Sequence, residues 1–165
     1  MNYTNAHVRR QDRLLDETEA LRLLRTGEYG VLSMQSEGGG GYGVPLNFAW
    51  DGHRALYVHC ALEGRKLRCL AACNRVSFCV VGATQVVSAK FTTGYESIVL
   101  DCTAHLGLSE EERLRALEHL LDKYSPADKT AGLKYAHASV HRTELIRLEI
   151  EFWSGKTKRV APPQP

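Results

Sequence analysis

The period of the apolar positions changes along the chain, and the changes mark its elements. Over residues 16–25, Leu21 and Leu24 fall on one helical face, Asp16 and Glu19 form a capping-box-like start, and Gly27 is a stop. Stretches 29–35, 42–50, 55–60, 76–81, 85–89, 95–105 and 144–153 are rich in Val, Ile, Tyr and Phe and separated by glycines, which predicts strands. Gly38, Gly39, Gly40 and Gly41 separate the first two, and Asp51 and Gly52 the next two, so the first three are expected to form an antiparallel meander. A short helix is predicted over 65–72. A longer one, over 110–123, opens at Ser109 with Glu112 as its capping partner and carries Leu114, Leu117, Leu120 and Leu121 on one face. Six to seven antiparallel strands with few, short helices predict a mainly β protein, a closed or partly closed barrel, because strict strand–helix alternation is missing.

Composition narrows the picture. The 165 residues, 44% hydrophobic and 24% charged, suit one domain with its own core, with an N-terminal arm over 1–15 and a frayed tail over 160–165. The 21 basic and 19 acidic residues are mixed along the chain, so the net charge of +2 gives no field suited to nucleic acid. The polar N-terminus has no apolar leader segment, and no run of about 18 apolar residues is present to span a bilayer. A cytoplasmic location without membrane attachment is expected. Five cysteines in an odd set without Cys-x-x-Cys spacing fit reduced thiols better than a disulfide framework, and no metal site is predicted.

Three segments carry candidate chemistry. In 59–67 a strand ends, the chain turns at Gly64 and a helix begins. Free N–H groups at that helix start, with Lys66, Arg65 and His59 nearby, suit a phosphomonoester, although a capped surface helix with solvated cations has the same sequence. In 42–48, Pro45 within a strand requires an edge or a bulge. The backbone groups exposed there, with Asn47 as donor and acceptor, suit a planar heterocycle; an edge blunted against aggregation is the alternative. In 90–100 a hydroxyl-rich turn feeds a strand in which Ser97 is placed to bond a phosphate, or in which Thr92 and Thr93 are turn residues and Tyr95 and Ile98 core. No nucleophile elbow is present, and the glycine run at 38–41 lacks the Lys and Ser or Thr of a P-loop.

Together the blocks YGVLSM from Tyr29, YGVPLNF from Tyr42, YVHCALEGRKL from Tyr57, NRVSFCVVG from Asn74, FTTGYESIVL from Phe91 and KYSP from Lys123 resemble the FMN-binding split barrel of the pyridoxamine 5'-phosphate oxidase-like superfamily. The likeness is to the branch that includes nitroimidazole-resistance reductases. It implies a homodimer with FMN in the groove between subunits. The flavin ring would lie near Val44, Pro45, Leu46 and Asn47 and the phosphate near His59, Lys66 and Ser97, with Ala61 and Leu67 among the cofactor contacts. It also implies a contribution from Trp153 and Lys156 across the interface, and an active-site role for His59. The arginine and histidine pattern of true pyridoxamine-phosphate oxidases is not recognisable over 153–159, so vitamin B6 synthesis is not expected. The function implied is an FMN-dependent oxidoreductase that passes electrons from a reduced nicotinamide to a small organic acceptor such as a nitroaromatic. The alternatives are a non-catalytic flavin or haem carrier or sensor, in which His59 ligates iron, and a dimerisation module whose groove is empty.

Overall fold

Turn and cap residues set most element ends. The structure, a computed structural model, describes residues 1–161 and contains β1 (Asn2–Tyr3), α1 (Glu17–Thr26), β2 (Gly30–Gln35), β3 (Gly41–Leu46), β4 (Ala49–Trp50), β5 (Ala55–Cys60), α2 (Arg65–Ala72), β6 (Arg75–Val87), β7 (Thr92–His105), α3 (Glu110–Tyr124), α4 (Lys129–Ser139) and β8 (Glu144–Lys158). Asp16 caps α1 by accepting from the Glu19 N–H at 2.9 Å, and Ser109 caps α3 through the Glu112 N–H at 3.2 Å, as the capping boxes predict. Gly27 ends α1 for a different reason from the left-handed turn usual at such glycines. A Cβ there would lie 2.5 Å from Val80 Cγ1, so the residue is small because a strand passes against it. Gly39 and Gly40, with φ of 84° and 79°, turn the chain between β2 and β3. The end of the tail expected to fray, 162–165, lies outside the described residues.

The sheet runs β3-β2-β6-β7-β8-β5-β4, antiparallel throughout, with β1 added parallel to β8. The predicted meander is therefore two separate hairpins, β2–β3 and β4–β5. The predicted strand 42–50 breaks at Asn47 and Phe48, and its two halves lie at opposite ends of the sheet. Because only two residues join those ends, and each adds at most about 3.5 Å of reach, the sheet must curl until its edges nearly meet. It is not closed by hydrogen bonds, and β3 with its Pro45 is an edge strand, as proline requires. The Tyr124 hydroxyl holds the crossing: it accepts from the Phe48 N–H at 3.0 Å and directs its proton to the carbonyls of Phe48 at 2.8 Å and Glu28 at 2.6 Å.

Two bulges adjust the hairpins. In β6 the register slips between Val81 and Thr84, which joins the two predicted strands 76–81 and 85–89 into one. In β8, Asp101 pairs with Phe152 but Cys102 pairs with Ile150, leaving Glu151 extra. An extra residue reverses the faces beyond it. Ile146, Leu148 and Ile150 point to the core before the bulge, and Trp153 and Gly155 after it. The inner face closes on Leu32, Phe48, Phe78, Val80, Leu100 and Trp153, while α3 covers the outer face at Tyr57 and Leu145.

α4 was not expected from sequence. Its segment, KTAGLKYAHAS, has little amphipathic contrast and a glycine at its centre. Gly132 is a packing residue, because a Cβ would lie 2.4 Å from Leu121 Cδ2 of α3.

Candidate functional site

The edge strand β3 and the end of β5 bring several predicted residues together. Pro45, Leu46, Asn47 and His59 line one groove of about 630 Å³ with Glu28 and Tyr29. As the outermost strand, β3 has half of its backbone groups without a strand partner. The side chains of Val44 and Leu46 pack towards the core, so these two residues offer the groove mainly backbone. Asn47 Nδ2 donates to the Glu28 carbonyl at 3.0 Å, the carbonyl that Tyr124 also reaches, which orients the amide and leaves its oxygen available.

The first four residues of β5 are buried, and the strand emerges at His59, which is exposed, before ending at the half-buried Cys60. Partial desolvation of the imidazole, with the positive charge of Lys66, lowers the His59 pKa below the ordinary histidine value. The imidazole is thus held neutral at pH 7. The next residue, Cys60, has its thiol pKa raised by burial, against the opposing charge of Lys66. The positive charge of Lys66 thus acts on both His59 and Cys60.

Helix α2 opens at Gly64, with φ of 142° and no side-chain cap, so its first N–H groups have no side-chain acceptor. Arg65 is committed elsewhere: its guanidinium stacks 4.1 Å from the Tyr42 ring centroid and donates to Ser36 Oγ at 3.0 Å. Of the two cations at this helix start, Lys66 is the one whose charge acts on His59. Ala61 is exposed in the preceding turn, and Leu67 is half-buried against the core, a supporting contact.

Ser97 and Lys156 lie elsewhere. They are cross-strand partners on β7 and β8, and Lys156 is eleven positions along β8 from Leu145, the partner of His59. Within one chain they do not join the groove. They do lie on the outer face of the sheet, which also carries the Pro45, Val31, Cys79, Val99 and Ser154 row. Trp153 is a correction: only 2% exposed and packed edge-on to Tyr3 with ring centroids 4.7 Å apart, it is core and cannot face a ligand groove. The bulge at Glu151 turns it inward.

A second cavity, of about 470 Å³, adjoins the first. Asn47 and His59 belong to both, and α3 and α4 supply the rest of its lining. Glu28, Tyr29, Tyr124 and the α4 residues were not singled out by sequence. Tyr29, at the head of the YGVLSM block, and Tyr124, in the KYSP block, had the only signal there. Among the described residues no group of three or more His, Cys, Asp or Glu is arranged to hold a metal ion, and no helix is long and apolar enough to cross a membrane.

A curled, unclosed antiparallel sheet whose edges meet at a proline-bearing strand is the architecture of the split barrels. Residues 16–157 match the pyridoxamine 5'-phosphate oxidase family, and the chain belongs to it. No curated protein matches the chain. Among solved structures it is similar to a candidate 5-nitroimidazole antibiotic resistance protein of Bacteroides thetaiotaomicron, with a TM-score of 0.73 and 19% identity over 88% of this chain and 86% of the other. It is also similar to the FAD- and haem-binding protein of Mycobacterium smegmatis (TM-score 0.77, 21% identity, 93% and 76% covered). A third likeness is to HutZ, the haem storage protein of Vibrio cholerae (TM-score 0.65, 15% identity, 85% and 94% covered). At these identities the likeness concerns the fold.

Proposed function

We propose that this protein is an FMN-dependent oxidoreductase that takes electrons from a reduced nicotinamide and passes them to a small organic acceptor, a nitroaromatic being the model case. The observation that carries the reading is the groove itself, where an edge strand with unpaired backbone groups meets His59, with the charge of Lys66 at an uncapped helix start acting on that histidine. These residues fit FMN. The Pro45–Asn47 stretch would take the ring and Lys66 with the first turn of α2 the phosphate, because a phosphate dianion needs a charge partner and N–H donors together. When bound, the flavin supplies hydride acceptance and release at N5. The protein's part is to orient it and to hold His59 neutral beside it, as a donor or acceptor towards the acceptor's polar group.

The reading includes a homodimer. The outer row of Pro45, Val31, Cys79, Val99 and Ser154 is small or apolar and is left open by the helices, with Val81 and Phe152 exposed beside it. A second copy laid on this face would bring its own Ser97 and Lys156 towards the flavin groove, which one chain cannot do.

A second reading rests on His59. A neutral imidazole in an open groove is the form that ligates iron, and two of the similar structures belong to haem-binding or haem-storing proteins. In that reading the protein carries haem and has no turnover.

The test is the absorbance spectrum of the purified protein before and after FMN is added, followed by anaerobic addition of reduced nicotinamide. Flavin bands that bleach support the oxidoreductase; a Soret band that disappears in His59→Ala supports the carrier. Lys66→Ala is expected to weaken FMN binding roughly 10–100-fold, the loss of a charge-assisted contact. Unchanged affinity would reject the phosphate position.

A further inference from the structure

We propose that the cavity between α3, α4 and the end of β5 is a binding chamber for an uncharged, planar aromatic molecule whose polar substituent faces Asn47 and His59. Its role as the acceptor site rests on the flavin reading above; its existence as a binding site does not.

The walls come from Leu117, Leu120 and Leu121 of α3 and from Tyr135 and Ala136 of α4. Three of the hydroxyls set among them, those of Ser139, Thr143 and Tyr124, are engaged. The Ser139 hydroxyl donates to the Tyr135 carbonyl at 2.7 Å, Thr143 donates to the Ser139 carbonyl at 3.4 Å, and the Tyr124 hydroxyl is committed to Glu28 and Phe48. Tyr124 thus presents its ring. At the end next to the flavin groove the Asn47 amide oxygen and the His59 imidazole are placed to recognise a ligand, and these two residues line both cavities.

A chamber with mainly apolar walls and no Lys, Arg, Asp or Glu in its lining favours an uncharged molecule over a charged one, since a buried ion without a partner is costly. A volume of about 470 Å³ lies within the range of small-molecule sites.

The space exists because of small residues at a helix contact. α4 packs tightly on Leu121 of α3 at Gly132, and one turn later the small Ala136, 5% exposed, lines the cavity. A larger side chain at 136 would occupy the chamber while leaving the groove residues untouched.

The experiment uses 3-nitrobenzotrifluoride as the probe, read by fluorine NMR, with the Leu117 and Leu121 methyl signals as a second readout. FMN affinity is measured in parallel. The wild-type protein is expected to bind the probe and shift both leucines, whereas 4-nitrobenzoate, of similar size but charged, is expected to bind at least roughly tenfold more weakly. Ala136→Phe is expected to weaken the probe roughly tenfold or more, with FMN affinity within about twofold of wild type. Ala136→Val, a milder filling that preserves the fold, should weaken it by an intermediate factor. Absence of probe binding, binding that leaves the leucine methyls unmoved, or equal probe affinity in wild type and both folded variants would overturn the chamber. A protein that binds the probe at these leucines but not FMN would overturn the flavin reading and leave the chamber standing.

Discussion

Lys123 ends 3.6 Å from the centroid of the Phe48 ring, with its ammonium buried and without a hydrogen-bond partner. Burial pushes its pKa down from 10.5 to about 8. Between those values the unfolded chain holds a proton that the folded chain has released, so this group makes the protein more stable as pH rises from 8 to 10.5. Attraction to the ring offsets part of the cost of the charged form at lower pH. Lys123→Met is therefore expected to stabilise the protein by about 1–2 kcal/mol at pH 7, and the gain should shrink towards zero by about pH 10, measured by urea unfolding of both proteins. A gain that does not change with pH would place its origin in packing. Nothing in the sequence around Lys123 signals this, since the ring that faces it is 75 positions away. His59 and Lys66 were legible because a strand end, a glycine turn and a helix start are local events. Glu28 was not, since its part is played by a carbonyl that any residue could offer.

At the scale of elements, local chemistry was readable wherever a side chain bonds its own backbone. Asp16 and Ser109 stand where their capping boxes require. Asp16→Ala is expected to cost about 1 kcal/mol and to lower the melting temperature by about 2–4 °C in a chain of this size, measured by calorimetry. No change would mean that packing of Ala20, Leu23 and Leu24 alone holds α1. The edge position of β3 was also readable, because Pro45 has no N–H to give to a second neighbour. α4 was not readable. It is helical because Gly132 and Ala136 let it approach α3, and that advantage depends on Leu121 lying opposite. The parity of β8 was hidden for a related reason: a bulge is a response to the partner strand, and the residue it adds, Glu151, looks like any polar position of a strand.

At the scale of the whole molecule, the curl of the sheet brings the groove together. Its edges meet at Asn47 and Phe48, so β3 and β5, at distant places in the strand order, become neighbours. The same curl leaves the outer face of β2, β6 and β7 free of helices. Val99, 43% exposed at its centre, is the position from which dimerisation can be tested without disturbing the core. Val99→Arg is expected to shift the protein from dimer to monomer in sedimentation velocity, with melting changed little, and to weaken FMN retention if both subunits form the site. A wild-type protein that sediments as a monomer and still holds FMN would reject the two-subunit groove.

The sequence by itself determined the caps, the turns, the alternation of most strands and the placement of Pro45, Asn47, His59 and Lys66 at element ends, because each depends on neighbours within a few residues. Only the tertiary structure decided that Trp153 is core while Phe152 faces outward, that Arg65 stacks on Tyr42 while the charge of Lys66 acts on His59, and that a cavity opens between α3 and α4. Each of these depends on which distant surface a side chain meets, and a one-residue change of register reverses the answer.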